Sequence, residues 1–103
     1  ADDVACNVAL CHHERWDGAG YPQGLMGEVI PVEARIVALA DVYDALTTRR
    51  CYKEAMPIAD ALTYVREQAG RHFDPRLVQV FFQSFKDICE IQQEFADEDE
   101  GIV

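Results

Sequence analysis

Val4, Ala5, Val8 and Ala9 recur at helical spacing from the first residues, with His12 on the same face and Asp2 or Asp3 placed to cap the first turn. A helix is therefore predicted to begin at or before residue 3. The periodicity stops at Asp17. From there to Pro31 the chain holds Gly18, Gly20, Gly24 and Gly27 together with Pro22 and Pro31, which rules out regular helix and leaves too little alternation for a strand. One long structured loop is predicted. Loops of this length are uncommon in compact domains unless they carry function, although an ordinary surface loop would read the same way.

From Pro31 or Val32, the positions Ala34, Val37, Ala38, Asp41, Val42 and Ala45 mark a second helix reaching about Thr48. Pro57 opens a third, running through Ala69 and stopped by Gly70. Asp74-Pro75 is an N-cap followed by proline at the first helical position. Leu77, Val78, Phe81, Phe82, Phe85 and Ile88 supply the buried face of a final helix that runs into an acidic tail. No segment alternates with period two and nothing repeats. The expected fold is all-α, with about four helices in one unit over residues 1–96 and an acidic tail over 97–103. The abrupt helical start suggests a domain continued upstream.

Composition narrows the function. Of 103 residues, nineteen are acidic and nine are Lys or Arg, for a net charge of -10. That balance repels nucleic-acid backbones and anionic membranes, so no nucleic-acid polymer is expected as partner. No apolar run approaches the roughly 20 residues of a membrane helix, so no membrane insertion is expected. Acidic residues crowd the C-terminus, while Arg49, Arg50 and Lys53 form a basic island where a small anion could bind, or simply a solvated basic turn. Cys6, Cys11, Cys51 and Cys89 contain no CxxC pair, which points to reduced thiols and a cytoplasmic location.

Three residues carry candidate metal chemistry. His12 and His13 are adjacent, so on a helix their side chains would diverge by about 100° and would suit two ions better than one. The alternative is one buried, hydrogen-bonded histidine beside an exposed one. Asp41 lies in the apolar run Ile36 to Tyr43, where a buried carboxylate needs a cation or a strong donor. Arg35 or Arg49 could provide that donor, or the helix could turn Asp41 outward. Imidazole and carboxylate without clustered thiolates form a ligand set for first-row metals such as iron and manganese.

The strings HHERWDGAGYPQGLMGEVIP, ARIVALADVYDAL, RRCYK and GRHFDP, spread over roughly residues 5 to 85, closely resemble the second half of HD-GYP domains. The resemblance implies a helical bundle of the HD superfamily that hydrolyses cyclic di-GMP, a bacterial second messenger, with two or three iron or manganese ions. It implies that His12, His13 and Asp41 are metal ligands and that Arg50 and Lys53 grip substrate phosphate. Gly20, Tyr21 and Pro22 would belong to a loop lining the substrate entrance, which also offers a contact for diguanylate cyclase domains. The His-Asp dyad that names the family does not occur in these residues. The resemblance therefore implies an incomplete metal site, no self-sufficient catalytic residue, and an inactive isolated chain that associates as a homo-oligomer through its uncovered apolar faces. The alternative is a non-catalytic interaction or sensory module.

Overall fold

The computed structural model describes residues 2–49 and 53–102. Five α-helices follow one another: α1 (Asp2–Cys11), α2 (Val32–Thr47), α3 (Ile58–Glu67), α4 (Pro75–Gln83) and α5 (Phe85–Ile102), with a short 3-10 turn at Gly27–Val29. Among the described residues there is no strand; an isolated bridge joins Ala69 and Phe73. The all-α expectation holds.

The helix starts follow local chemistry. Pro31 and Pro57 sit in extended backbone just before α2 and α3, and their carbonyls accept the first helical amides, those of Ala34 and Arg35 and of Asp60 and Ala61. At α4 the Asp74 side chain accepts from the Arg76 amide at 2.9 Å, with Pro75 in the first turn.

Two expected boundaries differ. Helix α3 ends at Glu67 rather than Ala69, because residues 68–73 close a tight turn in which the Gly70 amide donates to Phe73 O and the Phe73 amide to Gln68 O. Gly70 takes φ +81°, a conformation that costs other residues strain. The single final helix is in fact two, broken at Ser84. The Ser84 amide donates to both Val80 O and Phe81 O, tightening the last turn of α4 before α5 begins at Phe85.

That break lets Phe85 and Ile88 fold back over the core. The core runs from Leu39 and Tyr43 on α2 through Ala61 and Val65 on α3 to Phe73, Val78 and Phe81. Tyr43 meets Phe81 edge to face at 5.1 Å and Phe85 at 6.4 Å, a favoured geometry for aromatic pairs. A smaller cluster of Cys11, Ile30 and Ala34 pins the end of α1 and the end of the loop to α2. Helix α2 is thus the shared wall, touching α1, α3 and α4. No helix among the described residues is long and apolar enough to cross a membrane. Cys6, Cys11 and Cys89 are free thiols.

Candidate metal and phosphodiester site

His12 and His13 lie just beyond the last residue of α1, not on it. The divergence expected of two helical neighbours is therefore absent, and their rings sit together with centroids 4.0 Å apart, tilted by 43°. His12 Nδ1 is 2.7 Å from Val8 O. A carbonyl only accepts, so Nδ1 carries the proton and the Nε2 lone pair is left for a ligand, the usual way a metal-binding histidine is oriented. The His13 ring stacks on Tyr21 at 4.8 Å, and the Tyr21 amide donates to His13 O at 3.2 Å.

Asp41 reaches the same place from α2. A recess of about 350 Å3 is lined by His12, His13, Arg15, Gly20, Tyr21, Asp41 and His72 among others. Asp41 is exposed there, so of the readings open for it the outward turn is the one found, on the wall of the recess that the two histidines also line. Arg35 is not its partner. The Arg35 guanidinium instead donates to Asp74 at 2.6 Å and to Ile30 O at 2.9 Å, and stands 5.8 Å from the Trp16 ring.

Glu14 organises the loop. It is 2 % exposed, and its two carboxylate oxygens accept from the Gln23 amide at 2.8 Å and the Leu25 amide at 2.9 Å. Its partners are nine and eleven residues away, so no local pattern could have announced the role. Gly20 packs against the same turn so closely that a Cβ there would stand 2.5 Å from Arg15 N and His13 O. Only glycine permits that approach. Trp16 and Asp17 strap the loop to the turn after α3, their amides donating to His72 O at 3.0 Å and Arg71 O at 2.8 Å.

Of the other expected substrate contacts, Tyr21 is 61 % exposed at the rim and Pro22, beside it, is exposed and outside the lining. Lys53 is exposed, with Nζ 3.5 Å from the carbonyl of Ala45, a lining residue. Arg50 lies outside the described residues, and Arg49 is paired with Glu54 at 3.6 Å on the surface.

Electrostatics distinguishes the groups around the recess. The hydrogen bond from the Ala19 amide holds the Asp17 carboxyl below the ordinary aspartate value; burial opposes this and Arg15 adds to the lowering. Burial pushes the His72 imidazole below the ordinary histidine value; the Arg15 charge adds to this and Asp17 opposes it. His72 is a recess residue that the sequence did not single out. The donor chemistry of His12, His13 and Asp41 suits a first-row metal, yet among the described residues no three His, Cys, Asp or Glu side chains gather closely enough to hold an ion. The set is a partial one.

A family model described as an HD domain matches residues 2–77, which contain the histidine pair, the loop and Asp41. The chain belongs to the HD domain family. Its motif strings make it an HD-GYP-type member, and its similarities agree. It is 48 % identical over 101 residues to a probable cyclic di-GMP phosphodiesterase of Vibrio cholerae, covering 98 % of this chain and 23 % of that protein. It is 52 % identical over 93 residues to the cyclic di-GMP phosphodiesterase response regulator RpfG of Xanthomonas campestris, covering 90 % of this chain and 25 % of that protein. The HD-domain fold is matched by the crystal structure of a cyclic GMP-AMP specific phosphodiesterase of Vibrio cholerae, with a TM-score of 0.64 and 32 % identity, over 82 % of this chain and 21 % of that one. The chain spans about a quarter of the length of these curated relatives.

Proposed function

We propose that the protein carrying this chain is a metal-dependent phosphodiesterase that hydrolyses a cyclic dinucleotide, with cyclic di-GMP as the preferred substrate. The observation that carries this is the convergence of His12 and His13 from the end of α1 with Asp41 from α2 on one recess of about 350 Å3, a volume in the range of small-molecule sites. The substrate class is supported by the relatives, whose names divide between cyclic di-GMP and cyclic GMP-AMP phosphodiesterases.

In this proposal His12, His13 and Asp41 hold iron or manganese, and further ligands come from outside these residues. When bound there, such ions would supply the Lewis acidity that activates water near neutral pH and offsets charge on the phosphate. Val8 O orients His12 for that task, Tyr21 packs His13 in place, and Glu14 fixes the loop behind both. Arg50 and Lys53 bind phosphate oxygens, and Gly20 and Tyr21 shape the entrance. Alone, the chain offers too few ligands for two ions and is expected to be inactive.

A second role is supported by the exposure of Tyr21, 61 % uncovered next to exposed Pro22: the loop rim is a docking surface for a signalling partner such as a diguanylate cyclase domain. Chromatography of the products made by the full-length, metal-loaded protein separates the two roles. Hydrolysis of cyclic di-GMP or cyclic GMP-AMP is expected. Turnover of neither, with cyclase binding that needs Tyr21, would leave only the interaction role.

A further inference from the structure

The turn between α3 and α4 places one more histidine on the recess. His72 is held at two points: its carbonyl accepts the Trp16 amide at 3.0 Å, and its ring stacks at 4.4 Å and 17° on Phe73, itself 1 % exposed in the core. The ring has little freedom to choose its surroundings.

Those surroundings leave it unpaired. His72 Nδ1 is sealed from solvent and has no hydrogen-bond partner. A buried ring nitrogen without a partner weakens a fold, and a phenylalanine of similar shape would fill the space without that penalty. Buried N–H groups without acceptors are rarer than under-satisfied acceptors, so the lone pair belongs on Nδ1 and the proton on Nε2. Because His72 lines the recess and Nδ1 is sealed, Nε2–H is the polar group it can offer to an occupant.

Arg15 lines the same recess, and its charge reaches the His72 ring. The Arg15 guanidinium also pairs with Asp17 at 3.3 Å; a guanidinium and a neutral N–H donor lining one recess match the non-bridging oxygens of a phosphodiester.

We propose that His72 Nε2–H, together with Arg15, binds a phosphate oxygen of the cyclic dinucleotide on the wall formed by the α3–α4 turn, making His72 a substrate-binding residue of this site. This rests on the phosphodiesterase assignment above. It adds a contact contributed by the GRHFDP segment rather than by the histidine pair or the basic island.

Two variants of the full-length, metal-loaded protein test it. His72→Phe keeps the ring shape and the stack on Phe73 but removes the donor, whereas His72→Gln keeps an amide donor at a similar reach. His72→Phe should raise KM for the cyclic dinucleotide by about tenfold or more, the expected loss for a hydrogen bond to a charged acceptor, with kcat changed much less. Metal content should stay the same and Tm should hold or rise, since an unpaired nitrogen has been removed. His72→Gln should recover part of the lost affinity. An unchanged KM in His72→Phe would overturn the contact while leaving the phosphodiesterase assignment standing. Loss of bound metal in His72→Phe would also overturn it, by making His72 a ligand. Wild-type protein that turns over no cyclic dinucleotide would remove the phosphodiesterase assignment and this contact with it.

Discussion

Arg35 on α2 and Asp74 at the start of α4 meet at 2.6 Å, with side chains 12 % and 2 % exposed. The same guanidinium donates to Ile30 O at the end of the loop, and the same carboxylate caps α4 through the Arg76 amide. One ion pair therefore joins the loop, the central helix and the turn that carries His72. Removing one partner leaves the other charge buried, a loss of about 3–5 kcal/mol. Arg35→Ala should lower stability to denaturant by that order, and a change below about 1 kcal/mol would contradict the pairing.

Asp74 also sets an acid limit. Burial raises its carboxyl, but the hydrogen bond from Arg35, the Arg76 amide and the Arg76 charge outweigh burial and hold it below the ordinary aspartate value. A depressed folded value means that the stabilisation is complete above the unfolded value and is lost as pH falls through the folded one. Denaturant unfolding measured from roughly pH 5 down to pH 2 should show falling stability. Asp74→Asn should flatten that dependence; an equally steep curve in the variant would assign it to other groups.

How far the sequence was legible follows from the reach of each signal. Pro31, Pro57 and Asp74-Pro75 mark helix starts with local chemistry, and those starts are where they were expected. The break at Ser84 has no glycine or proline to announce it, although Phe85 and Ile88 beyond it still pack on the core. The histidine pair, the loop and Asp41 stood out as a motif. The partners of Glu14 and Arg35 were invisible, because their bonds span nine, eleven and thirty-nine residues. His72 became a recess residue only when the α3–α4 turn folded onto Trp16 and Asp17.

Glu14→Gln should loosen the loop. A glutamine offers one acceptor and one donor group where two amides, those of Gln23 and Leu25, need acceptors. The cost is about 1–3 kcal/mol. Hydrogen exchange should quicken at both amides, and unchanged protection there would show that Glu14 does not hold the loop.

Gly20→Ala should disturb the recess directly. The added methyl would meet backbone atoms at 2.5 Å, which cannot rotate away, so the loop must shift off His13 and Arg15. A destabilisation of about 1–3 kcal/mol is expected, with a matching fall in Tm. A Tm equal to that of the wild type would mean that the loop does not pack this closely.

The isolated chain should associate. Val4 and Leu10 on α1 are 55 % and 62 % exposed. An apolar groove of about 450 Å3 is lined by Ile36, Val80, Phe81 and Ile91, among others. Uncovered apolar surface of this kind drives association. Light scattering at roughly tens of micromolar protein should give a dimer or larger species, and a well-behaved monomer would contradict this.

The most direct measurement is metal content and cyclic di-GMP turnover in the full-length protein carrying Asp41→Ala, beside the His12→Ala variant. If His12, His13 and Asp41 form one metal site on the recess, both variants should lose bound iron or manganese. Turnover should fall by a factor of about 100 or more while the helical fold is retained. Folded variants that keep both metal and activity would contradict the site.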